Sequence, residues 1–237
     1  GTIKMHTPGG GVRVYQPDSR SGRPYFSMEG DHAVFREIAG GYSHEEADGL
    51  LRVFDNNGQL LYVEDTNGNR LTFIYDNGYL VSIEHTNGQY LDLAYYPNGL
   101  LKTVIDPDGR QTSYFYDAGN EYLVAVTYFD NKTIQYEYDT SDNPSKRHAL
   151  TTISYPGGIH QYFEYTDAGR LASMYKGNEE EKFDFAYGNA GMVSVSCACN
   201  GSEESRYYLN HNGMLAKVMN PLEEGVFLKY DGDYNLT

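Results

Sequence analysis

The chain has 237 residues, with 24 Tyr, 26 Gly, 2 Cys and no Trp, and a formal net charge of −15. That length builds a core without disulfide support, and an acidic chain with only 18 Lys and Arg lacks the basic footprint of a phosphate-backbone binder, so nucleic acid is not an expected partner. No run approaches the roughly 18 apolar residues of a spanning helix, so no membrane insertion is expected.

The first residues, "GTIKMHTPGGG", carry neither an initiator Met nor the charged and apolar regions of a signal peptide. The last, "YDGDYNLT", break off inside a turn signal, and both ends read as cuts in a longer protein. Residues 1–50 form a β-rich leading segment. The runs "IKMH", "VRVY", "RPYFSM", "HAVFREI" and "LLRVF" are short and bounded by Gly, Pro and Asp, which reads as strands that pair with the array that follows. Within this segment His44 in "YSHEEADG" has two adjacent carboxylates, a pattern that can look catalytic. With no second His nearby and no HExxH, an acidic loop accounts for it.

From residue 51 to 237 the chain keeps a period. An aromatic followed by a turn recurs at Phe54, Tyr75, Tyr95, Tyr116, Tyr138, Tyr165, Tyr187, Tyr208 and Tyr230, with spacings of 21, 20, 21, 22, 27, 22, 21 and 22. The one long interval holds a polar insertion near 140–149, "TSDNPSKRHA". A second turn falls midway in each unit, as in "DTNGN" at 65–69, "HTNGQ" at 85–89, "DPDGR" at 106–110, "FDNKT" at 129–133 and "YPGGI" at 155–159. Asn-Gly and Asp-Gly supply the positive φ that tight hairpins need, and about six residues between turns is a normal strand. Each unit is therefore a β-hairpin handed on to the next. Some sixteen to eighteen such strands at about 4.8 Å make an antiparallel sheet on the order of 80 Å wide, which has to curl. Its edges invite self-association.

One detail resists a flat strand. Aliphatic residues recur at the second and fifth positions after the turn glycine: Leu60 and Val63, Leu80 and Ile83, Leu101 and Val104, Leu171 and Met174, Leu215 and Val218. Those positions differ in parity and would point to opposite faces, so bulges or changing twist are expected to take up the mismatch.

The segments "YDNGYLVSIEHTNGQYLDLAYY", "YDAGNEYLVAVTYFDNKTIQYEYD" and "YTDAGRLASMYKG" resemble the RHS/YD repeat, roughly Tyr-Asp-x-x-Gly-Arg-Leu followed by a strand and another Gly turn. The resemblance covers about residues 51–237, in about nine units. It implies an all-β fold of tandem hairpins in a long, curved, spiralling antiparallel sheet, part of a hollow shell. Bacterial RHS and toxin-complex proteins enclose a C-terminal toxic domain in such a shell; teneurins carry one at the cell surface. The implied role is structural and non-enzymatic, in a large secreted or surface protein, with the rest of the shell and an enclosed cargo domain as partners and no cofactor. The aspartyl autoprotease segment found in some bacterial members has no counterpart in this chain. Alternatives are a cell-adhesion or carbohydrate-binding surface on the same scaffold and, remotely, a glycosidase with paired carboxylates.

The repeat positions carry structural expectations. Tyr75, Tyr116, Tyr138, Tyr165, Tyr187 and Tyr230 are expected to pack against adjoining hairpins and aim their hydroxyls at a rim or a backbone group. Asp76, Asp117, Asp139 and Asp231, with Asp55, are expected to fix turns by accepting from backbone N–H two residues on. Gly78, Gly119, Gly169 and Gly191 are the turn glycines of these units. Calcium is the rival reading of the acidic turns, but the twelfth position of the "DTNGN" loop is Asp76 and not Glu, and that of "DGDYN" lies beyond the chain. Cys197 and Cys199, with one residue between them, would make a strained mutual disulfide and read as small residues leading into a turn.

Overall fold

The computed structural model describes residues 1–7, 11–19, 25–27, 31–177, 179–189, 191–197, 203–231 and 236–237, with the Glu180 side chain not described. Among them there is no helix, and the fold is all-β, as expected. The chain divides into two compact units, Gly1–Gln111 and Thr112–Tyr230, with the last residues shared between them.

The first unit begins with a separate antiparallel sheet of β1 (Ile3–His6), β2 (Val12–Pro17) and β3 (Tyr25–Phe26). A meander follows: β4 (Val34–Ile38), β5 (Gly41–Glu45), β6 (Leu51–Asp55), β7 (Leu60–Glu64), β8 (Arg70–Asp76), β9 (Tyr79–His85), β10 (Tyr90–Tyr95) and β11 (Leu101–Ile105). Each strand pairs antiparallel with the next. The run "GYSHE", read as loop in the sequence, is strand β5.

The second unit opens with β12 (Gln111–Tyr116) and continues through β13 (Leu123–Thr127), β14 (Thr133–Tyr138), β15 (Leu150–Ser154), β16 (His160–Tyr165) and β17 (Leu171–Lys176). It ends with β18 (Glu180–Tyr187), β19 (Met192–Cys197), β20 (Glu203–Leu209), β21 (Leu215–Met219) and β22 (Gly225–Phe227), again each antiparallel to its neighbour in sequence.

Turn chemistry explains the reversals. Asn77 and Gly78 both take positive φ, 48° and 83°, which makes the two-residue β8–β9 turn the primed type that matches strand twist. In "FDNKT" and "DAGN" it is asparagine, Asn131 and Asn120, that takes the left-handed conformation. Gly119, one of the expected turn glycines, does not supply it; its N–H instead donates to Asp117 Oδ2 at 3.0 Å.

The parity problem resolves through β-bulges. Opposite β8, Tyr75 faces Leu80 and Ile74 faces Ser82, leaving Val81 as the extra residue, while Phe73 faces Ile83. Tyr75 and Phe73 share a face, so their partners Leu80 and Ile83 share it too. The same shift occurs at Phe54 opposite Leu60, Tyr95 opposite Leu101, Tyr116 opposite Leu123, Tyr138 opposite Leu150, Tyr165 opposite Leu171 and Leu209 opposite Leu215. In the last of these the repeat position belongs to Leu209 and not to Tyr208, which corrects the alignment by one residue; Tyr208 faces Lys217 instead.

Few side chains are fully buried. Tyr15, Phe35, Val53, Val126 and Cys197 are the buried hydrophobics among the described residues, and Ser43, His44, Ser82, Ser173 and Ser194 the buried polar ones. Ser82 and Ser173 follow the bulge residue directly, and each donates to a cross-strand carboxylate, Asp92 at 2.9 Å and Glu164 at 2.6 Å. In the first unit the densest packing lies where β1–β3 meets β4 and β5: Tyr15 stacks on Phe35 with centroids 5.0 Å apart, and Tyr25 meets Phe35 edge-on at 5.5 Å.

Candidate functional site

Two constellations stand out: a chain of tyrosine clamps running through the repeats, and a buried polar network around His44.

The clamps arise from how neighbouring hairpins pair. The β7–β8 ladder runs from Glu64 opposite Arg70 to Tyr62 opposite Thr72 and stops two residues short of Leu60. The Leu60 carbonyl is thus beyond the reach of that backbone ladder, and Tyr75 donates its hydroxyl to it at 3.1 Å. The same arrangement recurs with Tyr95 on Leu80 (2.7 Å), Tyr138 on Leu123 (3.0 Å), Tyr165 on Leu150 (2.8 Å), Tyr187 on Leu171 (2.9 Å) and Tyr230 on Leu215 (2.8 Å). Leu60, Leu80, Leu123, Leu150 and Leu171 therefore each face the aromatic of their own hairpin and accept the hydroxyl of the next. Burial raises the Tyr75, Tyr95, Tyr138 and Tyr165 phenols above their ordinary value, so they stay protonated donors at neutral pH.

Tyr95 belongs to this series although it is followed by Tyr96 and not by Asp; the spacing of 20 from Tyr75 was the signal for it. Phe54 and Leu209 occupy the bulge position without a hydroxyl to give. Tyr116 holds its bulge position opposite Leu123.

The acidic turn residues divide. Asp55 Oδ1 accepts from the N–H of Asn57 and of Gln59, both at 2.8 Å, and Asp139 from Ser141 N–H at 2.8 Å. Asp117 accepts from the backbone N–H groups of Glu121 (2.7 Å), Tyr122 (2.8 Å) and Gly119 (3.0 Å). Those bonds, Tyr122 first, hold its carboxyl below the usual range. Asp76 differs: its tight two-residue turn leaves no such N–H in place, and it accepts from the Asn77 side chain at 3.2 Å. In "DTNGN", Asp65 accepts from the Asn67 and Asn69 backbone and the Asn69 amide, so the loop's own donors occupy the carboxylate a cation would need. No group of three or more ligating side chains gathers among the described residues.

Gly169 and Gly191 take φ of +74° and +72°, and each lies against a neighbour: a Cβ on Gly169 would come within 1.9 Å of the Ser145 carbonyl oxygen, and one on Gly191 within 3.0 Å of the Leu209 carbonyl oxygen. The inserted loop thus rests on the turn of the next repeat. Asn143 donates to the Asp167 carbonyl at 3.1 Å, Lys146 pairs with Asp167 at 2.9 Å, and His148 packs on the Tyr122 ring with centroids 5.3 Å apart. Tyr230, which precedes Asp231, forms an isolated bridge with Leu236.

The second constellation was only partly visible in the sequence. His44 lies on β5 with no exposed surface, not in an acidic loop. Its partners come from far upstream. Nε2 sits 2.7 Å from Tyr15 Oη, and Tyr15, also fully buried, is 3.1 Å from Asp31 Oδ2. Arg13 donates to both Asp31 oxygens through Nε and Nη2 and to Glu46 Oε1 at 2.6 Å. Arg52 Nη1 donates to the same Glu46 oxygen at 2.7 Å and stands 3.4 Å from His44 Nδ1.

A guanidinium only donates, so Nδ1 carries the lone pair and Nε2 the proton. The donors then run one way: Arg52 to His44, His44 to Tyr15, Tyr15 to Asp31. Burial drives the His44 pKa down and the Tyr15 pKa up. Burial also opposes the charge of Asp31 and Glu46, but the Arg13 contacts, and Arg52 for Glu46, hold both carboxyls below their usual range. Two cations meet two anions around a neutral imidazole. With no exposed surface the imidazole offers nothing to a substrate; it joins two sheets. Nothing in the pattern "YSHEEADG" announces partners at 13, 15 and 31.

Cys197 is buried and disulfide-bonded, contrary to the reading as a free small residue. Cys199 lies outside the described residues, as do the residues of the "DGDYN" turn after Asp231. Among the described residues no helix is long and apolar enough to cross a membrane.

Residues 95–133 match the family described as RHS Repeat. No curated protein matches the chain. Among solved structures, the crystal structure of TcdB2-TccC3-TEV has 12% identity and a TM-score of 0.47 over 99% of this chain and 16% of its own. The crystal structure of TcdB2-TccC3 has 13% identity and a TM-score of 0.43 over 99% of this chain and 17% of its own. A Photorhabdus luminescens Tc holotoxin pore has 12% identity and a TM-score of 0.41 over 95% of this chain and 16% of its own. The chain spans 16 to 17% of the length of these structures.

Proposed function

We propose, from the premise that residues 95–133 are an RHS repeat, that the whole span from about residue 51 to 237 is one RHS/YD array and serves as a wall segment of a β-shell. The single observation that carries this reading is the clamp series. The same tyrosine-to-leucine bond that begins at Tyr95 inside the matched segment continues outside it, from Tyr75 back to Leu60 and forward to Tyr230 on Leu215. Repeat proteins gain stability from neighbour contacts of this kind, passed along from unit to unit.

In this reading the function is architectural and non-enzymatic. Of the leading residues 1–50, β4 and β5 pair with the array while β1–β3 form their own sheet; the turns reverse the chain about every ten residues, and the wall separates an enclosed C-terminal cargo domain from solvent in a large secreted or surface protein. Its partners are the rest of the shell and that cargo. The repeat tyrosines spend their hydroxyls on backbone carbonyls, which favours this role over one in which the same rings present a sugar-binding face.

The test uses the full-length protein that contains this chain, treated with a non-specific protease. The segment downstream of the array is expected to survive digestion in the native protein and to be cleaved once Tyr138 and Tyr165 are both changed to Ala. Equal, rapid cleavage of that segment in the native and variant proteins would overturn the shell reading.

A further inference from the structure

The β1–β3 sheet rests on β4 and β5 through a small aromatic contact and the His44 network. The apolar seam is incomplete: a cavity of about 370 Å³ lies beside β1, lined in part by Ile3, Met5, Phe35, Tyr42 and Phe54. Beside the rings of Tyr15, Tyr25 and Phe35, polar bonds cross the seam from Tyr25 to Glu37 (2.6 Å), from Arg13 to Glu46 (2.6 Å) and between Tyr15 and His44 (2.7 Å), the last of them buried.

We propose that this network is an acid-operated latch: neutral His44 holds the β1–β3 sheet on the first strands of the repeat sheet, and protonation of its Nδ1 lets that sheet go. The geometry leaves a second imidazole proton no partner. An Nδ1–H would point at Arg52 Nη1, donor against donor, at 3.4 Å. The carboxylate in reach, Glu46 Oε1 at 3.9 Å, already accepts from both Arg13 and Arg52. The side chain itself has no solvent-exposed surface.

The charged and titratable groups that face His44 among the described residues are Arg13 and Tyr15 from β2, Asp31 from the segment ahead of β4, Glu46 just after β5, and Arg52 from β6. From β4 it meets only the Phe35 ring, at 6.3 Å. The facing charges cancel while the imidazole is neutral and become net positive once it is not. In the released state water solvates the imidazolium, so acid favours release.

The direction of the pH effect follows. Burial lowers the folded-state pKa of His44 below its ordinary value of about 6.5. Attachment is therefore at full strength above about pH 6.5 and weakens as pH falls below that toward the depressed value. Asp31 and Glu46 are lowered as well, so they remain charged while His44 takes its proton. The latch does not depend on the shell reading, because it concerns only the attachment of the leading sheet.

The experiment is hydrogen–deuterium exchange by mass spectrometry on the 237-residue chain at pH 7.5 and pH 5.0, with rates corrected for the intrinsic pH dependence. Peptides of β1–β3 are expected to lose protection by about tenfold or more at pH 5.0, while those of β8 and β9 hold theirs. His44→Gln keeps an N–H for Tyr15 and cannot gain charge, and is expected to abolish the difference. Should that variant fail to fold, nitrogen NMR of the native imidazole gives the second readout: a neutral Nε2–H tautomer whose titration coincides with the loss of β1–β3 protection. Equal protection of β1–β3 at both pH values, a loss that persists in His44→Gln, a loss shared by every strand, or a tautomer protonated on Nδ1 at neutral pH would each overturn the latch.

Discussion

Tyr75 donates its hydroxyl to the carbonyl of Leu60, fifteen residues upstream, while its own bulge partner Leu80 accepts from Tyr95. One leucine thus has two aromatic neighbours with different tasks: one pairs with it across the hairpin, the other caps the carbonyl that the inter-hairpin ladder leaves over. Removing a hydroxyl tests the bond without emptying the space around the ring. Tyr75→Phe and Tyr165→Phe are each expected to lower stability by about 0.5–1.5 kcal/mol, read as a shift in urea midpoint. An unchanged midpoint in both would show that the carbonyls find water as readily as phenol.

The bulge makes a sharper prediction. Val81 is the residue without a partner between Leu80 and Ser82, and because it bulges out of the ladder Leu80 and Ile83, three positions apart, share a face. Deleting Val81 removes the extra residue and leaves Leu80, Ser82 and Ile83 opposite Tyr75, Ile74 and Phe73 as an unbroken ladder, with Leu80 and Ile83 still on one face. The expected outcome is that exchange protection across β8 and β9 survives the deletion; its loss across both strands would show that Val81 does not bulge out of the ladder.

Two glycines with nearly the same backbone separate turn strain from loop docking. Gly109 has φ +75° with nothing within 4 Å of a built Cβ, whereas Gly169 has φ +74° and the Ser145 carbonyl in the way. Gly109→Ala is expected to cost about 1–2 kcal/mol, the left-handed penalty alone. Gly169→Ala should cost more, because the 140–149 loop has to lift, and thermal unfolding of the two variants measures the difference. Equal losses would mean that the loop gives way freely. Gly78→Val and Gly109→Val are both expected to lower the melting temperature further, since a β-branched residue fits positive φ poorly.

Asp117 provides a pH test in the repeat itself. Its folded-state pKa is depressed, by the Tyr122 N–H first and then those of Glu121 and Gly119. The sign is that of a carboxylate stabilised when charged: its contribution is fully present above the ordinary aspartate value of about 3.9 and is lost as pH falls through the depressed value. Asp117→Ala should therefore destabilise the chain at pH 7 and make much less difference near pH 2. Denaturant titrations of both proteins at the two pH values check this, and a difference that does not shrink in acid would contradict the assignment.

Tyr15→Phe examines the buried network at neutral pH. Its hydroxyl is the acceptor for His44 Nε2–H and the donor to Asp31, so its loss leaves a buried N–H without a partner. The expected cost is about 1–3 kcal/mol, concentrated in the β1–β3 amides. A uniform loss of protection over all strands would argue that the network supports the whole first unit.

The sequence alone determined the repeat. Turn residues act locally, so Asn77-Gly78 or Asp106 to Gly109 specifies a reversal wherever it occurs, and a fixed distance between reversals makes a hairpin array. It also raised the parity question at Leu80 and Ile83 and offered bulges as the answer. Only the tertiary structure decided which residue bulges, that Asn120 and not Gly119 takes the left-handed position, and that Leu209 and not Tyr208 keeps the register, because these depend on how both strands of a pair settle against each other. The clamp acceptors lay beyond sequence reading for a similar reason: a carbonyl needs a hydroxyl only once the ladder beside it has stopped. His44 is the extreme case. Its neighbours in sequence, Glu45 and Glu46, suggested an exposed acidic loop, yet burial by a separate small sheet brought Arg13, Tyr15 and Asp31 to it, and long-range packing of that kind leaves no periodic mark on a chain.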